Sequence, residues 1–181
     1  MKNTSLLIVG IIMAVSVSAL VSFERKTSDD QSSFSESYLP IWMAAKEQAL
    51  LVARAMPEEK YSYRPTDVSK TFAEQMIHIG YTSLWVTELY IAEEQKAYAE
   101  PKAAGMNKQQ IIDMIENNFN AAAEIIRNTS DWDAQVNSFT GKTFSKMQAI
   151  NSVQDHLTNH RAKANLYVRM NGEEPPAYGY Y

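Results

Sequence analysis

The run FSKMQAINSVQDHLTNHRAKANLYVRM, residues 144–170, places apolar side chains three and four positions apart and contains neither glycine nor proline. That spacing predicts one long amphipathic helix. Asn171-Gly172 and Pro175-Pro176 supply its C-terminal stop. Val153, His156, His160, Ala164 and Tyr167 fall on one face by their three- and four-residue steps. The face is otherwise apolar, so it is expected to look inward. A helix of this length cannot bury its own stripe, which sends the search for partners upstream.

Three further helical patterns precede it. The first is expected over about Tyr38 to Ala55, with Ser35 or Ser37 as cap, Pro40 in the first turn and a stripe of Ile41, Ala44, Ala45, Leu51, Val52 and Ala55. The second opens on Thr71-Phe72-Ala73-Glu74, where a capping box lets Thr71 and Glu74 satisfy each other's backbone amides, and is expected to run to about Gln95. The third spans about Lys108 to Asn128 through Ile111, Ile112, Ile115, Phe119, Ala122, Ala123 and Ile126. Long connections separate them, at Pro57–Thr66, around Pro101 and Gly105, and over Asp131–Lys142. No strand pattern stands out. Four helices without strands imply an all-α four-helix bundle with long inter-helix loops over residues 38–176.

Ahead of the bundle the composition changes. Lys2 precedes an apolar run from Leu6 to Val21 that turns small at Ser16, Ser18 and Ala19, so residues 1–22 read as an export signal cleaved after Ala19 or as an uncleaved membrane anchor. The run is only slightly short of the roughly 18–20 residues a span needs, which keeps the anchor open, while the small-x-small pattern Val17-Ser18-Ala19 favours cleavage. Residues 23–37 are polar and Ser/Asp-rich and read as a flexible tether. Residues 177–181 form an aromatic tail. The expected location is therefore outside the cytoplasm, periplasmic or extracellular, with membrane contact only through an uncleaved first segment.

Composition removes several kinds of chemistry. The chain has no cysteine, so thiol nucleophiles, disulfides and thiolate metal sites are all excluded. A net charge of −4, with no basic patch in the sequence, argues against nucleic acid as a partner. No glycine-rich phosphate loop is present.

The whole chain contains three histidines, His78, His156 and His160. His156 and His160 are four apart and can aim two imidazoles at one point, which makes half a metal site. A third imidazole from His78 would complete it. The same pattern also fits a solvated i,i+4 pair plus a hydrogen-bonded core histidine. His156-Leu157-Thr158-Asn159-His160 lacks the glutamate that follows the first histidine in zinc proteases, so it is not that motif. Glu74, Gln75, Tyr81, Thr82, Asp155 and Asn159 lie within a turn of the three and are candidate helpers.

Several fragments together carry a family resemblance. Met56-Pro57-Glu58-Glu59-Lys60-Tyr61, Arg64-Pro65 and Phe72-Ala73-Glu74-Gln75 lead into His78, while Gly141-Lys142-Thr143, Asp155 to Arg161 and Met170-Asn171-Gly172 follow in the second half. In order and spacing they resemble the DinB-like family of bacterial four-helix-bundle proteins, from about Tyr38 to Pro176. The resemblance implies that His78, His156 and His160 bind a divalent metal such as zinc, nickel, manganese or iron. It implies a metal-dependent hydrolase or transferase acting on a small molecule, or a non-catalytic metal-binding or stress-related envelope protein, and a bundle that pairs as a homodimer. Related branches include thiol-dependent transferases, whose cytosolic cosubstrates an exported chain would seldom meet.

Overall fold

The computed structural model describes residues 29–139 and 141–179. Four helices form it: α1 (Asp29–Ala55), α2 (Phe72–Tyr90), α3 (Lys108–Asn128) and α4 (Lys146–Met170). A 3-10 turn, Glu58–Lys60, follows α1, and two short strands, β1 (Gln135–Asn137) and β2 (Thr143–Ser145), precede α4. The expected export segment, residues 1–22, lies outside the described residues. No helix among the described residues is long and apolar enough to cross a membrane.

Each helix packs on two neighbours. Helix α3 lies between α1 and α2, α4 closes the ring between α2 and α1, and α1 stands diagonal to α2. That arrangement accounts for two of the long connections. The chain must cross one end of the bundle to pass from α1 to α2, and again from α3 to α4.

Helix α1 starts earlier than the sequence pattern placed it. Residues 29–37, assigned to a polar tether, are its first turns. Ser35 is therefore no cap: it is 4% exposed, donates to the Ile126 carbonyl at 2.8 Å and accepts from Trp132 Nε1 at 2.8 Å. A buried hydroxyl with partners on both sides lets a Ser-rich segment continue a helix that hydropathy alone would end. The buried seam of α1 is Tyr38, Trp42, Ala45, Ala49 and Ala53, continued by Met56 just beyond the helix, while Leu51 faces solvent. Two aromatic donors secure the seam, Trp42 Nε1 to the Phe119 carbonyl at 3.0 Å and Tyr38 Oη to that of Ile150 at 3.1 Å.

Helix α2 begins at its capping box, with Glu74 N donating to Thr71 Oγ1 at 3.2 Å and Thr71 N to Glu74 Oε2 at 2.7 Å. It ends at Tyr90, not near Gln95. Glu93 takes a left-handed conformation, φ 57°, which no helix continues through. Its carboxylate meets Lys146 Nζ at 2.9 Å, and the same ammonium meets Asp131 Oδ2 at 2.8 Å. The connection expected over Asp131–Lys142 holds β1, which pairs antiparallel with β2, Val136 opposite Phe144. Strands of three residues are too short to show an alternation. Of the expected tail, the described residues 177–179 bring Gly179 against the Gln48 side chain of α1.

Candidate metal centre

The neighbouring helices α2 and α4 bring all three histidines together. His78 sits in the second turn of α2, while His156 and His160 are stacked one turn apart on α4, so a single seam unites positions far apart in sequence. One ligand nitrogen from each lies within 4.8 Å of the others. His78 Nε2 and His156 Nε2 are 3.1 Å apart, and the rings of His78 and His156 each lie 4.4 Å from that of His160. Two nitrogens on a tetrahedral ion with bonds of about 2.0–2.1 Å would be roughly 3.3 Å apart, so the His78–His156 pair is already near a chelating separation.

The surroundings fix the first of these rings. Glu100 Oε2 accepts from His78 Nδ1 at 2.5 Å, with the two side chains 15% and 13% exposed. That bond puts the ring proton on Nδ1 and turns the Nε2 lone pair to the cluster, the tautomer a metal needs. Glu100 is itself held by the Tyr98 hydroxyl and by Lys70 Nζ at 3.2 Å. Burial pushes its carboxyl up, but the hydrogen bonds from Tyr98 and His78 and the charges of His78 and Lys70 outweigh burial and hold it below the ordinary range.

The loop carrying Glu100 is anchored to α2. Trp85 Nε1 donates to the Lys96 carbonyl at 3.1 Å, Ala99 N donates to Tyr81 Oη at 2.7 Å, and Tyr98 packs edge-on against both rings.

The α4 histidines are biased toward the neutral form. Burial first, then His78 and Lys163, lowers His156. Burial, followed by His156 and His78, pushes His160 down to about 3. Three imidazoles this close repel one another's protons and leave lone pairs available for a cation. Gln75 Nε2 lies 2.6 Å from His160 Nδ1 and donates to the His160 carbonyl at 3.2 Å, so the amide holds the third ring with Nδ1 accepting. An ion would take this ring through Nε2 with the Gln75 amide turned over, its oxygen then accepting from Nδ1.

Of the candidate helpers, Gln75 alone touches a histidine ring. Glu74 is occupied by the cap, Tyr81 by the loop, and Thr82 Oγ1 by the His78 carbonyl at 2.6 Å. Asp155 and Asn159 face solvent. Glu100 and Tyr98 carried no signal in the sequence, because a loop residue 22 positions from its partner belongs to no periodic pattern.

The fold and site define a helical bundle whose two facing helices present three imidazoles able to hold a metal ion. A family model described as DinB family matches residues 27–181, and the chain belongs to that family. Solved structures of similar fold include a DinB-like protein from Bacillus cereus, 18% identical, TM-score 0.67, covering 80% of this chain and 97% of that one. Another is a DinB-like protein from Bacillus subtilis, 13% identical, TM-score 0.64, covering 78% and 96%. A third, described as a member of the DinB family from Exiguobacterium sibiricum, is 15% identical with a TM-score of 0.59, covering 81% and 95%. No curated protein matches the chain.

Proposed function

We propose that this DinB-family chain is exported and binds one divalent transition ion through His78, His156 and His160, using it to hydrolyse or transfer a group on a small molecule. The observation that carries the reading is the set of three imidazole nitrogens within 4.8 Å, with Glu100 aiming one of them. Structural metal sites are usually closed by four protein ligands, whereas three leave room for water or substrate. A bound ion would supply Lewis acidity, polarising a substrate oxygen or making a bound water more acidic. Glu100 and Gln75 position the rings, and Tyr98 with Lys70 holds Glu100. Imidazole ligands suit zinc, nickel, copper and iron alike, so the donor set does not select among them. Export rests on the N-terminal pattern Lys2 to Ala19.

One observation favours a non-catalytic role in metal storage or stability. Glu100, the carboxylate beside the trio, is taken up by His78, Tyr98 and Lys70 and is not on offer as a general base. Elemental analysis of the purified protein tests the shared core of both readings: wild type carries about one ion per chain and His156→Ala carries much less. Equal, negligible metal in both sinks them together. Cobalt-loaded protein then separates the two. A spectral change on adding azide marks an open position and the enzyme reading, and an unchanged spectrum favours storage.

A further inference from the structure

Beside the histidines lies a cleft of about 380 Å³ whose wall includes His78 and His156. That volume suits a small ligand. Trp85, Val86 and Tyr90 of α2, Phe144 of β2, and Ala149 and Val153 of α4 give it a mostly apolar lining.

The hydroxyls on the wall are largely committed elsewhere. Thr82 donates to the His78 carbonyl, Ser152 to that of Gln148 at 3.0 Å, and Tyr98 to Glu100. A sugar or nucleobase would therefore bring polar groups into a cleft poor in partners for them, which is costly. Among the described residues no aspartate or glutamate lines the cleft, while the exposed Lys142 is one of its lining residues. A larger depression of about 620 Å³ contains none of the histidines and borders helix caps whose polar groups already pair with each other.

We propose that this cleft is the substrate pocket of the histidine site and takes a small monoanion with an apolar body of aromatic size, such as an arylalkyl carboxylate. The proposal rests on the reading of the three histidines as the reacting centre. The apolar lining selects the body. Charge selects an anion over a cation, since the lining includes the basic residue Lys142 and no acidic one.

Calorimetric titration of metal-loaded and metal-free protein with propionate, 3-phenylpropionate and 3-phenylpropylamine tests it. 3-Phenylpropionate is expected to bind at least about tenfold more tightly than propionate, in keeping with the burial of one ring, and more tightly than 3-phenylpropylamine, which buries the same ring but carries the opposite charge. Ser152→Trp fills the cleft from an exposed helix position and should abolish that preference while leaving the circular dichroism unchanged. Val86→Asp, which puts a carboxylate on the wall, should abolish it too and carries the test if Ser152→Trp folds poorly. Equal binding of the three probes overturns the proposal, as does a preference that survives both substitutions. Metal content of the same samples keeps the two readings apart. Normal metal uptake without the phenyl preference overturns the cleft alone, whereas a phenyl preference in protein that takes up no metal keeps the ligand class and sinks the metal reading.

Discussion

At the scale of single residues the site depends on a side chain that no motif marks. Glu100 holds the His78 proton on Nδ1, and a carboxylate partner of this kind both orients a ligand ring and raises its basicity. Glu100→Gln keeps the shape but removes the charge, and an amide can present its nitrogen instead of its oxygen to Nδ1. Metal affinity should fall by about 10–100-fold, measured by competition with a chromophoric chelator, while the far-ultraviolet spectrum stays native. An unchanged affinity would show that Glu100 does no more than pin the loop. The three histidines themselves were legible in the sequence, since His156 and His160 share a helix face by arithmetic and His78 was supplied by an ordered resemblance. Gln75 was legible only as a neighbour of His78, although the ring it contacts is that of His160.

At the scale of elements, helix existence could be read and helix ends could not. The patterns for α2, α3 and α4 survive in the structure, and the Thr71 capping box is present as expected. Ser145 and Gln148 form the same box at the start of α4, a serine-x-x-glutamine signal that was open to reading. The true ends of α1 and α2 depend on contacts remote in sequence, Ser35 with Trp132 and Glu93 with Lys146, which local propensity does not contain.

Two substitutions probe how α2 is set. Thr71→Ala removes one half of its cap and should cost about 1 kcal/mol in denaturant unfolding. Gly80→Ala is a contest of two effects. Alanine gains about 1 kcal/mol of helix propensity over glycine. Its Cβ would stand 2.9 Å from Ile115 Cγ1 and 3.1 Å from the Ile115 Cα, and the second of these is backbone that cannot step aside. Overpacking of this kind costs about 1–3 kcal/mol, so the net change should be destabilising, with α2 and α3 forced apart. A more stable Gly80→Ala protein would contradict the close approach of the two helices.

At the scale of the whole molecule, stability is tied to the charge state of the cluster. His160 has an ordinary value of 6.5 when unfolded and about 3 when folded without metal, since burial and the neighbouring His156 and His78 oppose its proton, with Lys163 and Lys70 adding to the effect. Between those values the unfolded chain holds the extra proton, so stability rises with pH, and lowering the pH favours unfolding. His156 is shifted the same way and adds to the slope. Glu100 and Glu74 are also held low, but their unfolded reference is 4.5, so they act at lower pH and leave the span from about 6.5 to 4.5 to the histidines. The metal-free protein should therefore lose melting temperature as pH falls through that span. His160→Gln, with nothing to titrate at that position, should flatten the profile there while keeping the part due to His156. An ion that binds only the folded state raises the melting temperature in proportion to the logarithm of its excess over its dissociation constant, so metal-loaded wild type should melt higher throughout the neutral range. That gain should shrink as protons compete for the imidazoles. Scanning calorimetry of the two proteins at several pH values, with metal and with chelator, measures both effects. A His160→Gln profile parallel to that of wild type in chelator would mean that burial does not hold this ring neutral, and the electrostatic case for an open metal site would fall with it.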